Sequence, residues 1–289
     1  MATSNKESRL MLLGELAADL CQAGIESPSR ELRLLVAHVL EKRYEDVFFA
    51  TDLRLSEGQT EHLARLVQRR CAGEPLAKII GHKEFWGLDF IVTSDTLDPR
   101  PDSETLIQAV LGCVCDKNSP LTIIDFGTGT GCLMISLLSE FPNAHGFGVD
   151  KSENAITVAR KNADRLGFLN RAAFLVGDWA TAVRGTFDIV ISNPPYIGLN
   201  EPLDRSVSDY DPHQALYGGK DGLACYESLL PQIHTLCHQG SKIFLEIGQG
   251  QGAAVRTLAK HNGLAFARSH PDLAGIERIL EFRMYARFK

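Results

Sequence analysis

Residues 122–140 read TIIDFGTGTGCLMISLLSE, and this stretch decides the fold of the 289-residue chain. A short apolar run is followed by three closely spaced glycines and then by a segment with an apolar helical face. The order strand, glycine loop, helix is typical of a doubly wound α/β sheet. Glycines let a ligand approach the backbone closely, and a helix N-terminus favours anions. The stretch therefore predicts a nucleotide-type ligand at a strand end.

The glycine spacing narrows the choice of ligand. The dinucleotide fingerprint is G-x-G-x-x-G/A, whereas here the third glycine comes one residue early and Cys132 stands in its place. The next predicted strand, HGFGVD at 145–150, ends in Asp150, at the distance from which an acid accepts hydrogen bonds from ribose hydroxyls. This combination resembles the S-adenosylmethionine site of class I methyltransferases. By itself it leaves another nucleotide ligand open.

A second motif, Asn193-Pro194-Pro195-Tyr196, follows the apolar run FDIVIS at 187–192. That run is typical of a buried parallel strand. Asn193 precedes a proline, which holds it near extended geometry, and the two prolines fix the loop rigidly. Rigid hydrogen-bond acceptors beside an aromatic ring suit the binding of a planar –NH₂ group. A proline turn that merely closes the strand is the plainer alternative.

The remaining segments predict two domains and a link between them. Residues 4–80 show helical periodicity, and IIGHKEFWGLDFIVT at 79–93 favours a hairpin around a glycine. Strands and helices alternate from about 121, and two late strands follow. The resemblance to class I methyltransferases implies that the sheet closes with an antiparallel strand there. The predicted fold is α/β, a class I Rossmann-like domain with a doubly wound, mostly parallel sheet. We predict a helical substrate-recognition domain at 1–78, a hairpin linker at 79–95 and a methyltransferase domain at 96–289.

Composition agrees with a protein of the cytoplasm. Apolar residues make up 44% of the chain, yet no stretch is long enough for a membrane span, and nothing near Met1 resembles a signal peptide. The cysteines are odd in number and form no C-x-x-C pair, so we expect reduced, mostly buried thiols. They are Cys21, Cys71, Cys113, Cys115, Cys132, Cys225 and Cys237.

No metal site is predicted. Cys113 and Cys115 have no second pair to complete a zinc site. His234 and His238 have the i, i+4 spacing of a helical zinc motif, but the glutamate of H-E-x-x-H is missing. We interpret the two histidines as helix-surface residues.

Charge argues against a nucleic-acid substrate. The net charge of −6 does not favour binding to a long phosphate backbone. Arg65, Arg69 and Arg70 gather on one face of a predicted helix. We interpret them as a solvated helix flank, with weak contact to an RNA-associated partner as the alternative.

Several motifs together resemble the HemK/PrmC family, which methylates the glutamine of the Gly-Gly-Gln motif in peptide chain release factors. The family patterns are P-R-P-D-T-E, D-x-G-T-G-T-G, G-D-W, N-P-P-Y, E-P-x-x-A-L-x-G-G-x-D-G-L and L-E-I-G-x-x-Q-G. Departures are small, with Ser103 for threonine and Asp211 for glutamate. The matching segments are 99–104, 125–131, 177–179, 193–196, 211–223 and 245–252.

The resemblance implies a site and a reaction. S-adenosylmethionine is the implied cofactor and the side-chain amide of a release-factor glutamine the methyl acceptor. The loop bearing Arg100 and Glu104 is expected to border the active site, without a catalytic role. Implied catalytic residues are Asn193, Pro194 and Tyr196, with Pro195 also binding substrate. Implied cofactor-binding residues are Gly127, Thr128, Gly129, Thr130, Gly131, Asp150, Asp178, Trp179 and Asn193, with Asp178 and Trp179 at the adenine.

An amide nitrogen shares its lone pair with its carbonyl and is a poor nucleophile. The Asn193 side-chain oxygen and the Pro194 carbonyl can accept the two N–H hydrogens, orient the lone pair and stabilise developing positive charge. Tyr196 would stack on the planar amide near the sulfonium. The motif offers no strong general base, and the chemistry requires none.

Other functions remain open at this point. The same motif would serve a methyltransferase acting on a nucleic-acid exocyclic amine or on a glutamine of a ribosomal protein. The glycine spacing disfavours an NAD oxidoreductase, and two intact motifs disfavour an inactive interaction module. As partners we expect peptide chain release factors, with no direct nucleic acid and no membrane, and we expect a monomer.

Overall fold

The apolar runs fold as strands in the computed structural model, which describes residues 2–50, 53–181 and 183–285. In this part of the chain two strands pair as a hairpin, and seven others form one sheet. The hairpin strands are β1 (His82–Phe85) and β2 (Leu88–Ile91). The sheet strands are β3 (Thr122–Phe126), β4 (His145–Asp150), β5 (Ala172–Val176), β6 (Phe187–Ser192), β7 (Cys237–Glu246), β8 (Leu264–Pro271) and β9 (Glu277–Met284).

The sheet order is β5-β4-β3-β6-β7-β9-β8. The five strands from β5 to β7 are parallel, and β9 pairs antiparallel with both β7 and β8. The order reverses between β3 and β6, and open α/β sheets bind ligands beyond the strand ends at such a switch point. Phe126 pairs with Ser192, so Gly127 and Asn193 leave the sheet side by side. The predicted fold class, including the antiparallel closing strands, is confirmed.

Eleven α-helices lie in the described part of the chain, and proline, serine and glycine mark several of their ends. Pro28 begins one helix, a capping box of Ser56 and Gln59 begins another, and Gly131 precedes the helix after the glycine loop. The helices are α1 (Ala2–Gln22), α2 (Pro28–Val39), α3 (Tyr44–Phe48), α4 (Glu57–Cys71), α5 (Leu76–Ile80), α6 (Glu104–Cys113), α7 (Cys132–Glu140), α8 (Glu153–Arg165), α9 (Arg205–Ser208), α10 (Ala224–Ile233) and α11 (Gly252–His261).

The chain divides into two compact units. One comprises 1–81 together with 204–210, and the other comprises 82–203 and 211–289. The short segment 204–210 therefore belongs to the helical unit, although it comes from the loop after β6, and no feature of the sequence indicated this. The β1–β2 hairpin falls within the second unit. Our boundary at 78 and the assignment of 79–95 to a separate linker stay predictions.

The core of the second unit lies on both faces of the sheet. Successive residues of a strand point to opposite faces, so Ile123 joins one buried apolar cluster and Ile124 the other. Residues of α6 and α7 complete the first cluster, and residues of α10 and α11 complete the second. The helical unit has its own cluster, centred on fully buried Leu20, Leu35 and Leu63. Both layers pack against β3, and the glycine loop follows this strand.

The hairpin has a tight turn whose two central residues both have positive φ. Trp86 has φ 52° and Gly87 has φ 71°, and Phe85 pairs with Leu88 across them. This is the geometry of a type I′ turn, which matches the twist of the flanking strands. The bulky Trp86 is held there because its N–H donates to the Glu104 carboxylate at 3.0 Å.

Two local expectations are wrong. The thiols are free but not mostly buried, since Cys21 and Cys115 are exposed near helix ends and the other five are half-buried. His238 lies on a strand, because β7 begins with the pairing of Cys237 to Phe187.

The described helices include none whose length and apolar character would allow it to cross a membrane.

Candidate active site

A cavity of about 340 Å³ lies at the carboxyl ends of the parallel strands in the second unit. Its walls come from the loops after β3, β4, β5 and β6, as expected at a switch point. Seven residues predicted from the sequence line it, namely Gly127, Gly129, Asp150, Asp178, Trp179, Asn193 and Pro195. The sequence motifs that are far apart along the chain therefore meet at one cavity.

The glycine loop reaches the cavity through two of its three glycines. Gly127 and Gly129 have φ of 71° and 54°, which L side chains rarely adopt. A Cβ on Gly129 would meet no atom within 4 Å, so that side of the loop faces open space. A Cβ on Gly131 would come within 3.0 Å of Ile135 Cδ1, so this glycine allows close packing of loop against helix.

The two loop threonines are buried and do not line the cavity. Thr128 is 5% exposed, and its hydroxyl donates to Asp125 Oδ2 at 2.7 Å. Thr130 accepts a hydrogen bond at its carbonyl from the Asn162 side chain. Burial raises the pKa of Asp125 to about 7, against the opposing effect of the Thr128 hydrogen bond. These groups support the loop from beneath.

Asp150 ends β4 and ties the loops on either side of the cavity together. Its Oδ2 accepts from the Gly129 N–H at 2.9 Å, and its Oδ1 accepts from the Ser152 N–H at 2.9 Å. Burial raises the pKa of Asp150, while backbone hydrogen bonds lower it. Each carboxylate oxygen has a further lone pair, so the group can accept hydrogen bonds from a ligand as well.

Asp178 and Trp179 follow β5. Asp178 is exposed and forms an ion pair with Lys151 at 3.3 Å. Trp179 has φ 51°, an uncommon conformation for a bulky residue, and its ring packs against the second apolar cluster. A Cβ on Gly127 would lie 3.9 Å from the Trp179 ring, so indole and glycine loop border the same space. Backbone strain of this kind concentrates at functional sites.

The Asn193–Tyr196 motif contributes to the cavity only in part. Asn193 and Pro195 line it, whereas Pro194 is buried and neither Pro194 nor Tyr196 lines it in the part of the chain that the structure describes. Burial raises the pKa of Tyr196 to about 12. The Tyr196 carbonyl accepts from the Gln251 side chain at 2.8 Å, which fixes the end of the motif.

Two residues without a predicted role lie behind Asn193. The Asn193 Nδ2 donates to Ser103 Oγ at 3.2 Å. Glu246, at the end of β7, is 1% exposed, and the hydrogen-bonding side chains at its carboxyl group are Ser103 and Asn193. Burial raises the pKa of Glu246 to about 7, against the effect of those hydrogen bonds and of Arg278. Both residues belong to segments that match the family motifs, which is the signal that could have found them.

Other cavity residues were also missed. Lys151 and Ser152 adjoin Asp150, Thr96 and Leu97 come just before the segment at 99–104, and four more come from the segment at 211–223. The motif match drew attention to both segments without indicating which residues face a ligand. The missed lining residues in the second segment are Pro212, Gln214, Ala215 and Tyr217.

Arg100 and Glu104 have structural partners. Arg100 forms an ion pair with Asp211 at 2.6 Å, and the Asp211 side chain is only 1% exposed. This ion pair joins the two segments that border the cavity. Glu104 accepts from the Trp86 N–H and so stabilises the hairpin turn.

In the helical unit, two of the three clustered arginines are paired. Arg69 contacts Glu74 at 2.5 Å, and Arg70 contacts Glu31 at 2.6 Å. Such pairing supports the interpretation as a helix flank. Within the described residues, no group of three or more histidine, cysteine or acidic side chains could hold a metal ion.

Comparisons with known proteins agree with this arrangement. Residues 12–81 match a family model described as the PrmC N-terminal domain, and residues 117–246 match one described as a methyltransferase domain. The release factor glutamine methyltransferase of Rhodospirillum rubrum is 41% identical over 286 residues, which cover 97% of this chain and 87% of that protein. That of Bradyrhizobium diazoefficiens is 39% identical over 273 residues, covering 93% and 92%.

A solved structure shows the same fold. The methyltransferase from Pyrococcus furiosus superposes with a TM-score of 0.53 at 19% identity, covering 78% of this chain and 98% of that one.

Proposed function

Because the chain belongs to the release factor glutamine methyltransferase family, we propose that it transfers a methyl group from S-adenosylmethionine to the side-chain amide of the glutamine in the Gly-Gly-Gln motif of peptide chain release factors. The observation that carries this proposal is the position of Asn193. Its side chain lies on the wall of the same cavity as the glycine loop and Asp150. Acceptor-binding and cofactor-binding elements thus border one space.

The residues around the cavity fit the cofactor. Gly129 leaves open space where a side chain would otherwise stand, and the Asp150 carboxylate has lone pairs for ribose hydroxyls. Asp178 and Trp179 would hold the adenine, the acid through its amino group and the indole by packing. When bound, S-adenosylmethionine supplies an electrophilic methyl group on a sulfonium.

The protein's contribution to the reaction is orientation and electrostatics. The Asn193 Oδ1 and the Pro194 carbonyl would accept the two N–H hydrogens of the substrate amide. This turns the nitrogen lone pair towards the methyl group and stabilises the positive charge that develops on nitrogen. Preorganised dipoles of this kind are worth roughly 3–4 kcal/mol each in other enzymes.

Tyr196 has a second role in this proposal. Like Pro194, it is not among the described residues that line the cavity, and its stacking on the substrate amide stays a prediction. Its carbonyl accepts a hydrogen bond from the Gln251 side chain, which anchors the end of the rigid loop. We assign it the role of holding Asn193 and Pro194 in place.

Selection of one glutamine among many requires contacts beyond the amide. The glycines before the target glutamine can adopt backbone shapes denied to other residues, so the loop can enter a narrow cleft. The helical unit supplies surface for the rest of the substrate, and we propose that it recognises the release factor. Its exposed aromatic residues Phe48 and Phe49 support this role, since aromatic side chains are enriched at protein interfaces.

Mass spectrometry tests the function directly. A purified release factor is incubated with this protein and S-adenosylmethionine, and the Gly-Gly-Gln peptide is analysed for a gain of one methyl group. The matched control is the same release factor with its target glutamine changed to alanine. Methylation of the glutamine in the first sample alone supports the proposal. Methylation of a ribosomal protein or of a nucleic acid, with none on the release factor, would overturn it.

A further inference from the structure

The proposed role of Asn193 depends on which end of its amide faces the cavity. A side-chain amide has an acceptor oxygen at one end and a donor –NH₂ at the other, and the two ends have nearly the same shape. Only Oδ1 can accept a hydrogen bond from the substrate amide. A half-turn of the Asn193 side chain would present –NH₂ to the substrate –NH₂, and the grip would be lost.

Two neighbouring segments meet behind this side chain. Ser103 ends the short 3-10 turn Pro101–Ser103 and is 3% exposed. Glu246 follows Leu245, which pairs with Ser192 in parallel register, so Asn193 and Glu246 are the next residues on adjacent strands. One oxygen of the Glu246 carboxyl group, Oε2, has no hydrogen-bond partner among the described residues. A buried acid in this position calls for a reason, because burial of an unpaired carboxylate is unfavourable.

The polarity of these groups supplies that reason. A carboxylate only accepts hydrogen bonds, so both of its hydrogen-bonding side chains, the Ser103 hydroxyl and the Asn193 amide, must turn a donor towards Glu246. The Ser103 oxygen is then available only as an acceptor, and it accepts from Asn193 Nδ2 at 3.2 Å. The Asn193 –NH₂ end is thereby held on the buried side, and Oδ1 is left for the cavity.

We propose that Ser103 and Glu246 are positioning residues that set the orientation of the Asn193 amide. The inference rests on the proposed function, in which Asn193 grips the substrate amide. It assigns a purpose to two sequence segments, those at 99–104 and 245–252, that the cofactor and substrate roles leave unexplained.

A purely structural role for the same residues is the competing explanation. Glu246 also interacts electrostatically with Arg278 and Asp102. Its removal could therefore disturb the packing at the end of β7 without any effect through Asn193. A structural defect would lower activity by an amount that does not depend on whether Asn193 is present. A positioning role requires the opposite, because the residues then act only through that side chain.

The test is a double-mutant cycle at pH 8, with methylation of a release factor followed by mass spectrometry. Ser103→Ala and Glu246→Gln should each lower kcat about 10-fold, the scale of one lost hydrogen bond, because an alanine or a rotatable amide no longer fixes the polarity. KM for the release factor and affinity for S-adenosylmethionine should change less than about 2-fold. In the Asn193→Ala background neither substitution should lower kcat further.

Two additional variants separate the role of the hydroxyl from general damage. Ser103→Thr retains the hydroxyl and should recover most of the activity that Ser103→Ala loses. Ser136→Ala is the control, since Ser136 on α7 is fully buried and its hydroxyl has no partner among the described residues; its kcat should stay at the unmodified value.

The outcomes distinguish a failure of the proposed function from a failure of the positioning inference. If Asn193→Ala retains activity, the proposed function of the site fails, and the positioning inference with it. If Asn193→Ala is inactive while Ser103→Ala and Glu246→Gln are fully active, the positioning inference alone is wrong. Equal losses in both backgrounds would likewise overturn it, in favour of a structural role.

Discussion

The Gly129 N–H donates a hydrogen bond to the Asp150 carboxylate, with 2.9 Å between the nitrogen and Oδ2. This contact joins the glycine loop after β3 to the acid at the end of β4. The same carboxylate caps the next turn through the Ser152 N–H. The elements proposed to hold the cofactor are therefore fixed to one another before any ligand arrives, which reduces the entropy lost on binding.

Asp150→Ala should weaken binding of S-adenosylmethionine by roughly 1–3 kcal/mol, because charged hydrogen bonds to the ribose and the support of the loop are lost together. Isothermal titration calorimetry measures the effect. Asp164→Ala is the matched control, since Asp164 is an exposed aspartate on α8, and its affinity should equal that of the unmodified protein. An unchanged affinity for the Asp150 variant would remove this residue from the cofactor site.

Gly129→Val should abolish cofactor binding. The new side chain would project into the open space at the loop, and a β-branched residue resists the φ of 54°. Gly275→Val provides the comparison, because Gly275 also has positive φ, at 80°, and open space around it, but lies in the turn between β8 and β9. Thermal denaturation should show a lower Tm in both variants, because both strain the backbone. Calorimetry should show a loss of cofactor affinity only in Gly129→Val. Retained binding by Gly129→Val would contradict the proposal.

Asn193→Ala should lower the rate of methyl transfer at least about 100-fold, the scale of one lost preorganised hydrogen-bonding group. Cofactor affinity should fall far less, since the glycine loop and Asp150 remain. Single-turnover rates with saturating cofactor separate the two effects. Near-normal turnover in this variant would contradict the role of Asn193 in binding the substrate amide.

The chain order of motifs was enough to predict the sheet and the cavity. Buried strands such as FDIVIS at 187–192 carry apolar residues on both faces, and residues that follow parallel strands meet at one edge of the sheet. The direction of individual side chains was not predictable in the same way. Tyr196 and Thr128 lie in the motifs but do not line the cavity, because packing of the loop from beneath decides where their side chains point.

Long-range pairs were beyond the reach of sequence patterns as well. The contact between Ser103 and Asn193 joins segments 90 residues apart, and neither local propensity nor periodicity carries information on such a pair. The same holds for the packing of 204–210 with the helical unit. A buried acid such as Glu246 can be recognised only once the register of β6 and β7 is known.

Glu246→Gln should stabilise the fold at high pH even as it lowers activity. Burial raises the pKa of this carboxyl from 4.5 to about 7, so between those values the folded chain holds a proton that the unfolded chain has released. Stability therefore falls as pH rises through this interval, and the loss is complete above about pH 7. Glutamine cannot ionise and avoids it.

Urea denaturation at pH 4 and pH 8 measures this difference. At pH 8 the free energy of unfolding should be higher in the variant by up to roughly 3 kcal/mol, with little gain at pH 4. Asp125 titrates in the same range and should contribute in the same direction in both proteins. A variant that is less stable at both pH values would mean that Glu246 is ionised and well paired in the fold.

The last prediction concerns substrate choice by the helical unit. Phe48 and Phe49 are 48% and 77% exposed and pack edge to face with ring centroids 5.0 Å apart, and Arg33 lies over Phe48. Replacing both phenylalanines with serine removes exposed apolar area and leaves the buried cluster of this unit intact. If the helical unit recognises the release factor, kcat/KM on the intact protein should fall about 10-fold or more, as for aromatic residues that dominate interfaces. Activity on a short Gly-Gly-Gln peptide should change much less, because the peptide contacts the cavity alone.

Leu273→Ser is the control for loss of an exposed apolar side chain, since Leu273 is fully exposed in the other unit. Equal losses on protein and peptide would show that the helical unit supports folding or the active site instead of recognition.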